Sequence, residues 1–220
     1  MNIAIAQINP TVGHLESNCQ IIIDFCHKAQ GLNADLVIFP ELSLLGYPPK
    51  DLLLRKDFID SLAYFHEKIA KSTSIASIIG SVIKDEERKL SYNVALLCHQ
   101  GRVKVVGKKI LLPNYNVFDE KRYFESPTDD SCQAFTLSGK KMLVSICEDA
   151  WNSHQDVEKK YDFDPIALGV KKHGPIDYLI NICASPFTKQ KPLVREQIFS
   201  NLAQTYRCPV LVSAQVGAND

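Results

Sequence analysis

The chain has 220 residues, 45% of them hydrophobic, with 25 Lys and Arg against 25 Asp and Glu. This is one large domain or two small ones with apolar material for a full core, and the even charge removes the electrostatic case for nucleic acid or an acidic membrane as partner. No apolar run approaches the ~20 residues that cross a bilayer, and MNIAIAQINP has neither the basic segment nor the long apolar core of a secretory signal.

Residues 2–8 read as a strand. Leu15, Cys19, Ile22, Cys26 and Ala29 recur at helical spacing, and Gly31 is placed to cap that helix. Leu36–Phe39 reads as a short buried strand stopped by Pro40, and a long helix is expected from near Asp51 to Lys71, with Leu54, Phe58, Leu62 and Phe65 on one face. Ser74–Ile83, Tyr92–Cys98 and Val103–Lys108 are strand-like runs separated by short polar turns, the pattern of an antiparallel meander. A polar, aromatic-rich loop spans Leu112 to Ser126. Ala134–Leu137 and Lys141–Ile146 read as a hairpin closed by Ser138 and Gly139. Tyr178–Ile182 is a further strand, Pro192–Tyr206 a helix and Pro209–Ser213 the last strand, before a polar VGAND loop. Strands interleaved with a few long helices predict a layered α/β sandwich, and VGAND reads as a chain that stops before its carboxy-terminal elements.

The seven cysteines include no Cys-x-x-Cys pair and the six histidines are scattered, so no metal site is expected. Unpaired thiols fit a reducing, cytoplasmic setting. Three reactive residues nevertheless share one placement: Glu41 follows the run LVIF and Pro40, Lys109 follows VKVVGK, and Cys147 follows MLVSI. In open α/β sheets ligands bind outside the carboxyl ends of strands, so these ends can converge on one pocket. Taken singly, each has a plain reading. A strand-end cysteine is usually a small buried hydrophobe, Glu41 can cap its loop, and one of Lys108 and Lys109 should be solvated. Taken together they supply acyl transfer from an amide. A carboxylate takes the thiol proton and returns it to the leaving amine, and an ammonium steadies both thiolate and oxyanion. The rival Cys98–His99 pair borders a turn, and neighbours along a strand face opposite ways.

Five segments carry a wider pattern: LVIFPELSLLGYPPKDLL around Glu41, KKILLPNYNVFDEKRYF around Lys109, VSICEDAW around Cys147, and the later INICASPF and VSAQVGAND. With the opening IAIAQINPTVGHLESN, the chain resembles the nitrilase (carbon–nitrogen hydrolase) superfamily over essentially its whole length. More narrowly it is similar to the amino-terminal glutaminase domains of glutamine-dependent NAD+ synthetases, because Glu148-Asp149-Ala150-Trp151 follows the cysteine where free-standing amidases tend to have Tyr-Asp.

The resemblance implies a nitrilase-like α-β-β-α sandwich over 1–220, with a synthetase domain further along a longer chain. It implies Cys147 as nucleophile, Glu41 as general base and Lys109 as the catalytic lysine, four residues before Pro113. Glu120 stands where a supporting glutamate is often found, and the backbone N–H of Glu148 would be the second oxyanion donor. Tyr115, Phe118, Glu148, Trp151 and Ser185 match positions that shape the glutamine pocket, while Cys183 replaces a small hydroxyl residue. L-glutamine is then the substrate, and ATP, deamido-NAD+ and Mg2+ are expected only in the missing synthetase domain. Assembly into a homo-oligomer through the nitrilase-like face is also implied. Two other readings stay open: a free-standing amidase acting on another carboxamide, and a non-catalytic role for exposed sheet edges.

Overall fold

The computed structural model describes residues 1–127, 133–153, 161–162, 164–189 and 191–218, with 152 and 153 described by their backbone alone. Cys132, Asn219 and Asp220 lie outside them. Two sheets stack face to face. The first is β1 (Ile3–Ile5), β2 (Leu36–Ile38), β3 (Ala76–Asp85), β4 (Leu90–His99) and β5 (Arg102–Lys108), in that spatial order. The second is β6 (Ala134–Leu137), β7 (Lys140–Ile146), β8 (Tyr178–Cys183) and β9 (Val210–Ala214). Pairing is parallel from β1 to β3, antiparallel along the β3–β4–β5 meander and across β6–β7, and parallel again from β7 to β9.

Helices α1 (Leu15–Gly31) and α2 (Lys56–Ser72) cover the outer face of the first sheet, and α3 (Pro165–His173) and α4 (Lys191–Tyr206) that of the second. Alternation along the strands produces the layers. Leu36, Ile38, Ile78 and Val106 meet Met142, Val144, Ile146, Ile180 and Ile182 between the sheets. The opposite faces carry Val37 and Ile79 toward the first helix pair and Leu143 and Leu179 toward the second. Each fully buried Ile or Leu contributes about 1.5–3 kcal/mol, so this middle layer is a main source of the attraction between the sheets.

The meander, the hairpin and the strand positions follow the sequence reading within a few residues. Ser138 and Gly139 both have positive φ (49° and 75°), as a tight two-residue hairpin turn requires. Three details differ. Gly31 is the last helical residue of α1; Leu32 is the cap, and the left-handed position falls to Asn33 at φ 57°. The long helix begins later than expected. Lys50–Leu54 is a 3-10 turn, Arg55 is extended, and α2 starts at Lys56. Leu54 is therefore 64% exposed, and the buried stripe of α2 is Ile59, Leu62, His66, Ile69 and Ala70. Helix α3 was not anticipated, although Asp164 caps it by accepting from the N–H of Ile166 and Ala167, Pro165 opens it, and Gly174 closes it.

His66 is the one titratable residue on the buried face of α2, with Nε2 2.7 Å from Ser81 Oγ. Burial depresses its pKa from 6.5 to about 4. A depressed histidine keeps the folded state neutral while the unfolded chain takes up a proton. Its contribution is therefore complete above about pH 6.5 and lost as pH falls toward about 4. Urea titrations should show that His66→Gln, which keeps a hydrogen-bonding partner for Ser81 and does not titrate, loses about 2 kcal/mol less than the parent between about pH 7.5 and about pH 5. Equal losses in the two proteins would remove His66 as the source.

Candidate active site

Because β5 runs parallel to β2 and β3, Lys109 leaves the first sheet at the same edge as Glu41. Cys147 leaves the facing sheet at the end of β7, beside the end of β8. The Glu41 segment lies hard against β3. A Cβ added at Gly80 would stand 2.2 Å from the Leu42 nitrogen and 2.4 Å from the Pro40 oxygen, so only glycine lets that segment sit there. Two of the turns are left-handed at ordinary residues, Leu42 at φ 47° and Cys147 at φ 46°. Such backbone costs on the order of 1–3 kcal/mol and clusters where chemistry sets the geometry.

The charges meet in the interior. Lys109 Nζ donates to Glu41 Oε1 and Glu120 Oε1, each at 2.7 Å, and all three side chains are buried. Asn93 Nδ2 donates to Glu41 Oε1 at 2.8 Å, the backbone N–H of Ala184 to Glu41 Oε2 at 3.1 Å, and Tyr47 Oη to Glu120 Oε1 at 2.8 Å. Lys108, by contrast, points outward and places Nζ 4.2 Å from the centre of the Tyr92 ring. Of the lysine pair, Lys109 is thus the buried one.

Burial opposes the ammonium of Lys109, but Glu120 and Glu41 outweigh it and hold its pKa well above the ordinary value. Burial also lifts Glu120 to about 7, with Lys109 pulling it down and Glu41 pushing it up. The Cys147 thiol is raised well above its usual range, first by burial and then by the Glu41 charge, with Lys109 acting in the opposite sense. Burial and the Glu41 charge thus both favour the neutral thiol at Cys147.

Of the remaining residues expected at the site, Tyr115, Phe118 and Glu148 form one cluster, and Ser185 lines a cavity together with Tyr47 and Ala184. Tyr115 Oη donates to the Glu148 carboxylate at 2.9 and 3.0 Å and stacks edge-on against Phe118, with ring centres 5.4 Å apart. Trp151 is half-buried, with Lys191 Nζ 5.2 Å from its ring centre. Phe118 and Ser185 line a cavity of about 740 Å³, which reaches the network through Tyr47 and Ala184. The sequence reading did not single out Tyr47, Asn93, Asp149, Tyr161, Lys191 or Arg195. Tyr161 joins Tyr115 on Glu148 at 3.3 Å, and Arg195 Nη2 donates to the Ser185 carbonyl at 2.9 Å. Asn93 carried a signal, since a buried amide within the apolar strand YNVALL must find a partner. Among the described residues no group of three or more His, Cys, Asp or Glu is placed to hold a metal ion, and no helix is long and apolar enough to cross a membrane.

A two-sheet sandwich with buried Glu, Lys and Cys at adjoining strand ends is the architecture of carbon–nitrogen hydrolases, and the profile of that family matches residues 2–158. The chain belongs to the carbon–nitrogen hydrolase family and has the nitrilase-superfamily fold. Within it, the chain is 37% identical to a glutamine-dependent NAD(+) synthetase of Synechocystis sp. over 226 residues, covering 99% of this chain and 40% of that protein. A Thermotoga maritima protein of the same description is 34% identical, with 100% and 36% covered. Among solved structures, the glutamine-dependent NAD+ synthetase of Acinetobacter baumannii in complex with ADP superposes with a TM-score of 0.87 at 33% identity, over 99% of this chain and 39% of that one. An amidase of the nitrilase superfamily from Nesterenkonia AN1 superposes at 0.81 with 17% identity, covering 100% of this chain and 78% of the amidase, which speaks to the fold alone. The chain spans about two fifths of the length of the synthetases it matches.

Proposed function

We propose that this domain hydrolyses the side-chain amide of L-glutamine to glutamate and ammonia. The observation that carries the reading is the Lys109 ammonium, 2.7 Å from Glu41 at the strand ends where Cys147 emerges. Glu41 takes the Cys147 proton as sulfur attacks the amide carbon. Lys109 and the backbone N–H of Glu148 hold the oxyanion. Glu41 passes the proton to the departing ammonia, leaving a γ-glutamyl thioester. Water, deprotonated by Glu41, then cleaves the thioester and returns the thiol. Glu120, bridged to Tyr47, holds the far side of Lys109.

Glutamine brings an α-ammonium as well as an amide. The Glu148 carboxylate, oriented by Tyr115 and Tyr161, supplies its counter-charge, with Phe118, Trp151 and Ser185 shaping the pocket. Glu148→Gln is expected to raise KM for glutamine about 10–100-fold, the scale of a charge-assisted hydrogen bond, and to change kcat less. A KM within about twofold of the parent would take Glu148 out of glutamine binding.

The synthetase relatives support a wider setting. The ammonia would pass to a synthetase domain of the same protein, where ATP, deamido-NAD+ and Mg2+ would be bound, in a cytoplasmic homo-oligomer. The deciding assay is ammonia release from glutamine beside asparagine and propionamide. Preference for glutamine is expected. Equal or faster release from the simple amide would replace glutamine by another carboxamide. The mass of the native gene product tests the domain assignment, with several hundred residues beyond 220 expected.

A further inference from the structure

Asp149 has no part in the mechanism above, yet its buried carboxylate joins the two loops that carry it. Oδ1 accepts the backbone N–H of Ile110 at 3.1 Å and of Leu111 at 2.8 Å, and Oδ2 accepts that of Ile146 at 3.1 Å. Ile110 directly follows Lys109, and Ile146 directly precedes Cys147. Lys109 leaves one sheet and Cys147 the other, and among the described residues no ladder hydrogen bond links the two sheets. One side chain, 2% exposed, therefore ties the amino-acid after the ammonium to the one before the sulfur.

We propose that Asp149 is a positioning residue for the reaction, setting the separation of the Lys109 ammonium and the Cys147 sulfur by bridging the ends of β5 and β7. This rests on the glutaminase reading for its substrate, but the geometry concerns any acyl transfer at Cys147. Three charge-assisted bonds favour the carboxylate. Burial works against that charge and raises the carboxyl to about 7. The left-handed backbone at Cys147 adds to the need: a strained turn keeps its geometry only when neighbouring bonds over-determine it.

Asp149→Asn keeps the shape and turns one acceptor into a donor facing backbone N–H groups. A misplacement of about 1 Å in such a site costs on the order of 10² in rate. The expected result is a kcat for glutamine lowered about 100-fold with KM within about threefold, and a parallel slowing of Cys147 alkylation by iodoacetamide, both measured well below the variant's melting temperature. A merely architectural residue would lower the melting temperature and leave both rates near the parent. A folded D149N variant with parental kcat and alkylation rate overturns the proposal. If it does not fold, Asp149→Glu, which keeps the charge and moves it by one methylene, takes its place: lowered kcat at unchanged KM supports positioning, and parental kcat overturns it. Failure of both variants to fold assigns Asp149 to the architecture alone and overturns it too. The alkylation arm separates this idea from the glutaminase reading, because a parent that alkylates at Cys147 but releases no ammonia from glutamine defeats only the latter.

Discussion

Cys147→Ala is expected to abolish ammonia release from glutamine, with a loss of about 10⁴–10⁶-fold, the range for removing a covalent nucleophile. The substitution deletes one buried sulfur and leaves Glu41, Lys109 and Glu120 bonded to one another, so the protein should fold and still bind glutamine. It also separates chemistry from binding. Calorimetric titration should still show glutamine binding, with a Kd at or above the parent KM, while stopped incubations show no thioester. Mass spectrometry of the parent after acid quench should reveal the γ-glutamyl adduct on the peptide containing Cys147, and the variant should show none. Turnover above about a tenth of the parental rate would mean that another group attacks the amide.

Lys109→Met should have the second-largest effect, and in two currents at once. Loss of an oxyanion donor lowers kcat by about 10²–10³-fold or more. Loss of the shared cation leaves Glu41 and Glu120 buried without their partner, a change that costs about 3–5 kcal/mol of stability. The pH dependence distinguishes this from simple loss of packing. Two carboxylates facing each other raise one another's proton affinity, so the variant binds protons more tightly folded than unfolded. Its stability deficit should therefore shrink as pH falls and grow as pH rises through the raised folded value. Lys108→Ala removes only an outward cation over Tyr92 and should leave kcat within about threefold. A deficit in K109M that does not vary with pH would argue that the two glutamates are not held face to face.

Much of this molecule was legible in its residues because the relevant forces are local. The β3–β4–β5 meander and the β6–β7 hairpin announce themselves through apolar runs broken by polar or Ser-Gly turns. Leu54 was misplaced because helical spacing continues through a break that only the backbone at Arg55, with ψ 116°, makes visible. Helix α3 has its cap, its opening proline and its closing glycine in the sequence, but it is nine residues long and lacks a strong apolar stripe. Within the site, the strand-end positions of Glu41, Lys109 and Cys147 could be read from pattern. Their supports could not. Asn93 reaches Glu41 across 52 positions within the first sheet, and the N–H of Ala184 reaches it across 143 from the second, so the one contact exists only after distant strands have paired and the other only after the sheets have stacked.

The ammonium shared between two carboxylates has an electrical consequence. Glu41, Lys109, Glu120 and the thiol form an enclosed set from which bulk water is largely excluded. In the proposed reaction the proton moves from Cys147 to Glu41, so one negative charge appears on sulfur, one disappears from carboxylate, and the sum over the set is unchanged. Ammonia then departs uncharged with that same proton. Through the acylation half of that reaction no counter-ion has to be imported to balance a net charge, so a buried interior is compatible with it.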